Sequence, residues 1–239
     1  MTGGTRGIGH AIVRKYLEEG ATVIFCGSRE ETAMKALAEF RSEFPNGQIG
    51  CIWPNLADKA DVEAQFSQVV KEHKRIDILV NNAGISQRTS LYDYTEKEYD
   101  AIMDLNVKSL FICSQVAAGF MRNQGGGCII NTSSMVSIYG QKSGVMYPAS
   151  KFAVNGITKS LSRELGKDGI RVNAVAPGVV RTDMVDKLPE EVIKPVLDNI
   201  PLRRMADPSE IADAYVFLAS RMASYISGVV LSVDGAVVN

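Results

Sequence analysis

The chain has 239 residues, of which 46% are hydrophobic and 22% are charged, and its formal net charge is -1. This amount of apolar material fills one sizeable core, and the length suits a single domain better than two. Without an excess of positive charge, the chain lacks the field that attracts nucleic acid phosphates or an anionic membrane surface. We therefore expect a small-molecule partner, with neither nucleic acid nor membrane.

The cysteines and the amino-terminal segment bear on the compartment of the protein. The four cysteines are far apart, no CxxC pair occurs, and the sequence contains only two histidines, so we predict reduced, buried thiols and no metal site. The first residues lack the apolar core of a targeting peptide, and no apolar run approaches the ~18 residues that a membrane span requires. We expect a cytoplasmic protein.

Short runs rich in β-branched residues alternate with longer amphipathic stretches. The runs are apolar on both faces, which is typical of parallel strands that helices cover on each side. The candidate strands are Thr22–Cys26, Ile49–Trp53, Ile76–Val80, Cys128–Thr132, Arg171–Ala176 and Val229–Val233. The alternation predicts an α/β fold, a single doubly wound Rossmann-type domain over residues 1–239 with a parallel sheet flanked by helices.

The amphipathic stretches carry apolar residues at spacings of three and four, which predicts helices. They are Gly9–Glu19, Glu30–Phe44, Asp61–Lys74, Glu96–Arg122, Pro148–Lys167 and Pro208–Ala219. Residues 183–207 interrupt the pattern with three prolines among short helical patches. We interpret this insertion as a lid over a substrate site. A plain surface excursion is the alternative.

Two glycine-containing elements are candidates for a dinucleotide site. Residues 2–9 read Thr-Gly-Gly-Thr-Arg-Gly-Ile-Gly just before the first helix, where glycines let backbone amides approach a pyrophosphate at the positive helix end. Residues 81–84 read Asn-Asn-Ala-Gly and follow the candidate strand that ends at Val80, at the edge where doubly wound sheets hold ligands. Either element alone also fits an ordinary turn.

Tyr147 and Lys151 are four residues apart with Pro148 between them, so we expect both side chains on one face of a helix. A free phenol has a pKa near ~10, and a neighbouring ammonium favours the phenolate and lowers that pKa. Tyr147 is then a candidate general acid or base. Ser134 precedes it, just beyond the candidate strand that ends at Thr132.

Together these motifs resemble the classical short-chain dehydrogenase/reductase family. The shared elements are the TGxxxGIG loop, the NNAG turn, Ser134 before Tyr-Pro-Ala-Ser-Lys, Asn106 within Asp-Leu-Asn-Val, the PGxxxT pattern at residues 177–182, and Ser-Val-Asp-Gly-Ala at residues 232–236. The resemblance covers essentially the whole chain. It implies a nicotinamide-dependent oxidoreductase that interconverts a ketone and a secondary alcohol by hydride transfer.

The resemblance also implies a role for each catalytic residue. Ser134 is expected to orient the substrate oxygen, and Tyr147 to transfer the proton. Lys151 is expected to lower the Tyr147 pKa and to hold the nicotinamide ribose. Asn106 is expected to anchor a water that leads to solvent.

The cofactor site implied by the resemblance follows the glycine elements and the strand ends. Its residues are Gly3, Thr5, Arg6, Gly7, Ile8, Gly9, Ser28, Arg29, Asn55, Leu56, Asn82, Ala83, Gly84, Tyr147, Lys151, Pro177, Gly178, Val180 and Thr182. NAD-specific relatives carry an acid after the second strand, where this chain has Gly27-Ser28-Arg29. Because Arg29 and Arg6 are charge-assisted donors suited to a 2′-phosphate, we expect NADP(H) to be preferred, with NAD(H) as the alternative.

The substrate class stays open between two types of relative. Many members of this size reduce 3-oxoacyl thioesters on an acidic carrier protein, and the second half of the chain resembles them, which makes this the first expectation. However, their two docking arginines are matched here by Gly125 and Asp168, although Arg122 and Lys167 lie nearby. Residues 143–151 and 175–180 also resemble bacterial hydroxysteroid dehydrogenases that act on bile acids.

A steroid substrate needs a broad apolar slot. The candidate lining residues, which ordinary core packing also explains, are Met135, Ile138, Tyr139, Met184, Val185 and Leu188. A third alternative is a non-catalytic NADP(H)-binding subunit. The presence of all four catalytic residue types argues against it.

Two further expectations concern assembly and the first strand. Relatives form dimers or tetramers through two long helices and the C-terminal segment, here Glu96–Arg122, Pro148–Lys167 and Ser220–Asn239, so we expect a homo-dimer or homo-tetramer. Relatives also have a strand directly before the TGxxxGIG loop, whereas this chain begins at Met1, so we expect a gap in the middle of the sheet. Our hypothesis is that the natural chain carries several upstream residues, which the intact mass of the native protein would test.

Overall fold

The computed structural model describes residues 1–181 and 190–237. Its strands are β1 (Val23–Cys26), β2 (Ile49–Ile52), β3 (Ile78–Asn81), β4 (Gly127–Thr132), β5 (Ile170–Pro177) and β6 (Val230–Val233). All of them pair in parallel. The predicted α/β class, with parallel strands and flanking helices, is confirmed.

The strands form two sheets, and the loops that carry the candidate site residues follow the carboxyl ends of the strands. β1 pairs with β2, and the second sheet has the order β3, β4, β5, β6. The register places Asn81 opposite Asn131, and Thr132 opposite Val175. Because parallel strands end on the same side, the loops after β3, β4 and β5 meet at one edge of the sheet.

A cleft of about 460 Å³ separates β1 from β3. Residues 1–4 cross one end of it, where the Thr2 amide donates to the Val80 carbonyl at 2.9 Å and the Cys26 amide donates to the Met1 carbonyl at 2.8 Å. The structure thus contains the gap that the sequence led us to expect, in place of one continuous sheet. The hypothesis of upstream residues stays a prediction.

The helices flank these strands. They are α1 (Gly7–Glu18), α2 (Glu30–Glu43), α3 (Lys59–His73), α4 (Glu96–Met103), a π-helical segment (Asp104–Lys108), α5 (Ser109–Asn123), α6 (Val136–Tyr139), α7 (Met146–Leu165), α8 (Glu190–Asp198) and α9 (Pro208–Ala219). The prediction of one continuous helix from residue 96 missed the π-helical segment in its middle. The prediction for α7 began two residues late, so Tyr147 lies inside the helix.

Two apolar clusters hold the helices against the strands. The first lies beneath α1, α2 and α9 and contains the fully buried Ile12, Phe40 and Tyr215. The second lies among α3, α5 and β4 and contains Met121 and Ile129. Since these clusters pack against both faces of the strands, most strand positions carry apolar residues, which is the pattern in the sequence.

The helix over Glu96–Asn123 is long and apolar enough to cross a membrane by length and composition alone, but half of its most apolar window is buried inside the fold. Buried core helices of this kind pass the same test, so the finding is weak evidence for a span. Among the cysteines, Cys26, Cys113 and Cys128 are buried and Cys51 is half-buried, and all four are free thiols. Burial raises the pKa of Cys26 and of Cys128 to about 11, which keeps these thiols protonated.

Candidate active site

The two glycine elements lie against each other at the carboxyl edge of the strands. The Asn82 side chain donates to the Gly3 carbonyl at 2.9 Å, and the amides of Asn82 and Ala83 both donate to the Thr2 hydroxyl at 3.0 Å. A Cβ atom at Gly9 would come within 1.9 Å of the Gly3 carbonyl oxygen. Position 9 therefore accepts only glycine, and residues 3–9 form a glycine-rich loop, the cradle, at the start of α1.

The starts of α1 and α2 present arginines and uncapped amides. Arg6 and Arg29 are the residues before these helices, and neither side chain caps its helix. Both arginines and Ser28 are exposed, and in the described part of the chain neither arginine forms an ion pair. Two guanidinium groups and two positive helix ends thus surround the place where the sequence predicts a phosphate. Thr5, Gly7 and Ile8 lie in the same loop and first turn.

Asn55 and Leu56 follow β2 at the same edge. The Asn55 amide donates to the Asp61 carboxylate at 2.7 Å, and its side-chain oxygen accepts from the Ala57 amide at 3.2 Å. Asn55 is exposed, while Leu56 packs against the second apolar cluster. The turn is therefore rigid, and it lies beside the end of β1.

Tyr147 and Lys151 lie one turn apart on α7, as predicted. Lys151 is only 5% exposed and donates from Nζ to the Thr132 carbonyl at 2.8 Å. Its Nζ atom lies 5.8 Å from the centroid of the Tyr147 ring. Burial lowers the pKa of Lys151 to about 8, because the ammonium is removed from water.

Burial and Ser134 act in opposite directions on the pKa of the Tyr147 phenol. Desolvation raises the pKa of Tyr147, and hydrogen bonding with the Ser134 hydroxyl offsets part of that rise. The sequence analysis assigned the lowering to Lys151, but the Lys151 ammonium is bonded to the Thr132 carbonyl and is itself desolvated. In this structure desolvation raises the pKa of Tyr147 and Ser134 lowers it in part, and the expectation that Lys151 also lowers it stays a prediction.

Asn106 lies in the π-helical segment, where the helix widens and turns the side chain inward. Its amide nitrogen donates to the Ile85 carbonyl at 2.9 Å and to the Ser150 hydroxyl at 3.0 Å, and its oxygen accepts from the Ile85 amide at 2.9 Å. Asn106 is 2% exposed. It therefore ties the loop after β3 to α7, and segments of this kind are frequent at functional sites.

The loop after β5 lies at the same carboxyl edge of the sheet, next to the loop after β4. The Pro177 carbonyl accepts from the Met135 amide at 3.0 Å, which joins this loop to the Ser134 loop. A Cβ atom at Gly178 would lie 2.6 Å from the Asp234 Cα atom, so the chain packs closely here. Val180 is buried and forms a parallel bridge with Ala206. Thr182 and the lid residues Met184, Val185 and Leu188 lie outside the described residues.

Comparison with known proteins identifies the family. A family model described as enoyl-(acyl carrier protein) reductase matches residues 3–237. A 3α-hydroxysteroid dehydrogenase from Mediterraneibacter gnavus is 60% identical over 236 residues, which make up 99% of this chain and 94% of the relative. A 3-oxoacyl-[acyl-carrier-protein] reductase from Thermotoga maritima is 39% identical, with 100% of this chain and 96% of the relative covered.

A solved structure agrees with these relatives. A short-chain dehydrogenase/reductase from Serratia marcescens superposes with a TM-score of 0.91 at 33% identity, over 100% of this chain and 96% of that one. The chain belongs to the short-chain dehydrogenase/reductase family. As a short-chain dehydrogenase/reductase it is a nicotinamide-dependent oxidoreductase, which confirms the expectation from the motifs.

Two residues of the site escaped the sequence analysis. Thr132 supplies the carbonyl that holds Lys151, and its hydroxyl lies 2.7 Å from the Tyr215 hydroxyl. Ser150 donates to the Tyr147 carbonyl at 2.7 Å and accepts from Asn106. Ser150 belongs to the quoted Tyr-Pro-Ala-Ser-Lys motif, so its position was visible. The Thr132 contact joins residues far apart in the chain, and no local pattern indicates it.

The residues present fit a nicotinamide dinucleotide. The cradle at the start of α1 would hold the pyrophosphate, and the chain from Ala83, whose amide donates to Thr2, runs through Gly84 towards Lys151. A Cβ atom at Gly84 would lie 3.1 Å from the Asn106 side-chain oxygen and 3.7 Å from Lys151 Nζ, so these three residues meet. When bound, the cofactor supplies or accepts the hydride. A continuous path thus joins the phosphate cradle to the proton donor.

Proposed function

We propose that this enzyme interconverts a hydroxyl and a keto group on a steroid, with NADP(H) as its preferred cofactor. The observation that carries the proposal is the 60% identity over 99% of the chain to a 3α-hydroxysteroid dehydrogenase, against 39% to a 3-oxoacyl-[acyl-carrier-protein] reductase. Of the two substrate classes that the sequence left open, this favours the steroid, and bile acids are the steroids to test first.

Apolar side chains beside the catalytic residues support a steroid. Ile138 and Tyr139 end the short helix after Ser134 and are 45% and 55% exposed, and Val145, at the start of α7, is 49% exposed. Ile85 is 38% exposed, and its backbone amide donates to the Asn106 side chain. Large apolar groups exposed this close to a proton donor suit a flat, rigid, apolar ligand better than solvent.

The surface near α5 and α7 supports the same choice. Relatives that act on an acidic carrier protein use two docking arginines, which the sequence matches to Gly125 and Asp168. The Asp168 carboxylate lies 3.6 Å from the Arg122 guanidinium, so it neutralises a nearby positive charge. The exposed Lys167 remains, but without the two docking arginines and with Asp168 beside Arg122, the patch attracts an acidic carrier less than those relatives do.

In the proposed reaction, the chain moves a proton and orients the substrate. Ser134 holds the substrate oxygen, and Tyr147 takes the hydroxyl proton during oxidation or returns it during reduction. Lys151 holds the nicotinamide ribose and supplies positive charge beside the phenolate. Asn106 fixes the loop that lines the cofactor path, and its proposed role as a water anchor comes from the family resemblance.

Two observations support NADP(H) over NAD(H). Arg6 and Arg29 lie at the starts of α1 and α2, and residue 28 is a serine where an acid would accept from a ribose 2′-hydroxyl. An arginine binds a phosphate through several charge-assisted hydrogen bonds. A higher kcat/KM with NADH than with NADPH would overturn this part of the proposal.

We also propose a cytoplasmic homo-oligomer, a dimer or a tetramer. Tyr99, Phe111 and Phe152 are each almost half exposed on α4, α5 and α7, which supports an interface along these helices. Light scattering coupled to gel filtration tests this proposal. The mass of two or four chains would support it, and the mass of a single chain would contradict it.

The substrate test is turnover of NADPH with a 3-ketosteroid and with a 3-oxoacyl thioester. Steroid reduction that greatly exceeds thioester reduction supports the proposal, and the reverse order overturns it. Tyr139→Ser removes apolar surface beside the site and should raise KM for the steroid. Tyr225→Ser is the matched control, because Tyr225 is fully exposed and lies at the opposite edge of the sheet.

A further inference from the structure

A buried polar cluster connects α7 to the loop that carries Ser134. Asn155 lies on α7 one turn beyond Lys151. Its side-chain oxygen accepts from the Ser133 hydroxyl at 2.6 Å, and its nitrogen donates to the Ser137 hydroxyl at 2.9 Å. Ser137 in turn donates to the Ser134 carbonyl at 2.6 Å. Asn155 is thus joined to both sides of the Ser134 loop.

The direction of each hydrogen bond in this cluster is determined by its protons. Ser137 uses its one hydroxyl proton on the Ser134 carbonyl, so it accepts from Asn155. Ser133 likewise has one proton, and its shortest contact is with the Asn155 oxygen. Ser133 and Ser137 are each 2% exposed, so water does not replace these partners. A buried network with every member satisfied holds one geometry.

The cluster stands between the two parts of the catalytic site. Tyr147 and Lys151 belong to the rigid helix α7, whereas Ser134 belongs to the loop after β4. The backbone of this loop is held by Val175 and Pro177, which accept from the amides of Ser133 and Met135 at 2.7 and 3.0 Å. Those bonds join the loop to β5. On the side of α7, Asn155 bonds to Ser133 and Ser137, and Tyr147 bonds to the Ser134 hydroxyl.

We propose that Asn155 is a positioning residue for the reaction, acting through Ser137 to set the distance between the Ser134 hydroxyl and the Tyr147 phenol. This inference rests on the proposed roles of Ser134 and Tyr147. In the described residues, the groups facing the phenol are the Ser134 hydroxyl from the loop and the Lys151 ammonium from α7. Loss of Asn155 changes the position of the Ser134 hydroxyl and leaves the Lys151 ammonium in place.

The consequence is a shift in the pH profile. When the Ser134 loop moves away from α7, its hydroxyl no longer favours the phenolate, and the pKa of Tyr147 rises. Oxidation of the alcohol needs the phenolate, so its rate at neutral pH falls in proportion to the phenolate fraction. The cofactor cradle at α1 lies on other elements and does not change.

The test compares the pH profile of steroid oxidation in three variants. For Asn155→Leu we expect the apparent pKa of kcat to rise by roughly half to one pH unit, and kcat at pH 7 to fall about threefold to tenfold. The KM for NADP⁺ should stay within about twofold of the wild-type value. Ser137→Ala, which removes one oxygen, should shift the profile in the same direction. The double variant should shift it by less than the sum of the two single shifts, because both substitutions remove the hydrogen bond between Asn155 and Ser137.

Thr158→Val is the matched control. Thr158 is buried on the same helix, and in the described part of the chain its hydroxyl bonds with Asn131 at 2.9 Å and with the Val154 carbonyl at 2.7 Å, outside the Ser134 loop. This variant should lower thermal stability and leave the pH profile unchanged. If Asn155→Leu and Ser137→Ala behave like Thr158→Val, the inference is wrong. If Asn155→Leu does not fold, Ser137→Ala decides alone.

Failure of the proposed function gives a different result. If Tyr147→Phe retained turnover, the assignment of Tyr147 as the proton-transferring residue would be wrong. Tyr147→Phe without turnover, together with unshifted profiles for Asn155→Leu and Ser137→Ala, would overturn only the role of Asn155.

Discussion

Lys151 makes the enzyme less stable at neutral pH than at alkaline pH. Burial lowers its pKa to about 8 from the ordinary lysine value of 10.5. Between these two values the unfolded chain binds a proton that the folded chain does not, so stability rises with pH in this window. At one pKa unit per ~1.36 kcal/mol, the free energy of unfolding should rise by about 2 to 3 kcal/mol from pH 7 to pH 10 through this group alone.

Lys151→Met removes the titrating group while keeping most of the side-chain volume. The measurement is urea unfolding of the wild type and of the variant across pH 7 to 10, and the difference between the two curves cancels the other groups. We expect the wild type to gain about 2 to 3 kcal/mol relative to the variant over this range. Steroid turnover by the variant should be lost at every pH.

Lys159→Met is the control for this prediction. Lys159 lies on the same helix but is exposed to solvent. Its curve should run parallel to that of the wild type. If the Lys151→Met curve also runs parallel, the lysine is not desolvated in the folded enzyme, and the electrostatic account of the site is refuted.

Three further predictions concern the cofactor and the proton donor. Gly9→Ala forces a Cβ atom against the Gly3 carbonyl, so overpacking of about 1 to 3 kcal/mol should weaken NADPH binding roughly tenfold or more in a fluorescence titration. Arg29→Asp should lower the ratio of kcat/KM for NADPH to that for NADH by about ten- to a hundredfold, and an unchanged ratio would contradict the assigned phosphate site. Ser134→Ala should move the apparent pKa of alcohol oxidation upward, because the hydroxyl that favours the Tyr147 phenolate is gone, whereas an unmoved profile would show that Ser134 does not contact the phenol.

Local sequence patterns predicted most of the architecture. The apolar runs identified the strands to within a few residues, because strands buried on both faces need continuous apolar segments. The pairing of Tyr147 with Lys151 followed from helical spacing. The proximity of the two glycine elements followed from their places at strand ends.

Contacts between distant residues were beyond these patterns. The π-helical segment around Asn106 forms where the side chain bonds to the Ile85 backbone, a contact across 21 residues. The bond from Lys151 to the Thr132 carbonyl depends on how α7 packs against β4. The burial that raises the Tyr147 pKa also follows from packing between distant elements, and the expectation that Lys151 lowers this pKa stays a prediction.

The most direct test of the account is steroid turnover by Tyr147→Phe beside the wild type, with NADPH binding measured on the same samples. We predict that the wild type reduces a 3-ketosteroid and that the variant loses at least about a hundredfold in kcat, because it lacks the acidic hydroxyl while keeping the ring. NADPH affinity should remain within a few-fold, since the cradle at α1 is untouched. Equal turnover by the two proteins would contradict the assignment of Tyr147 as the proton donor.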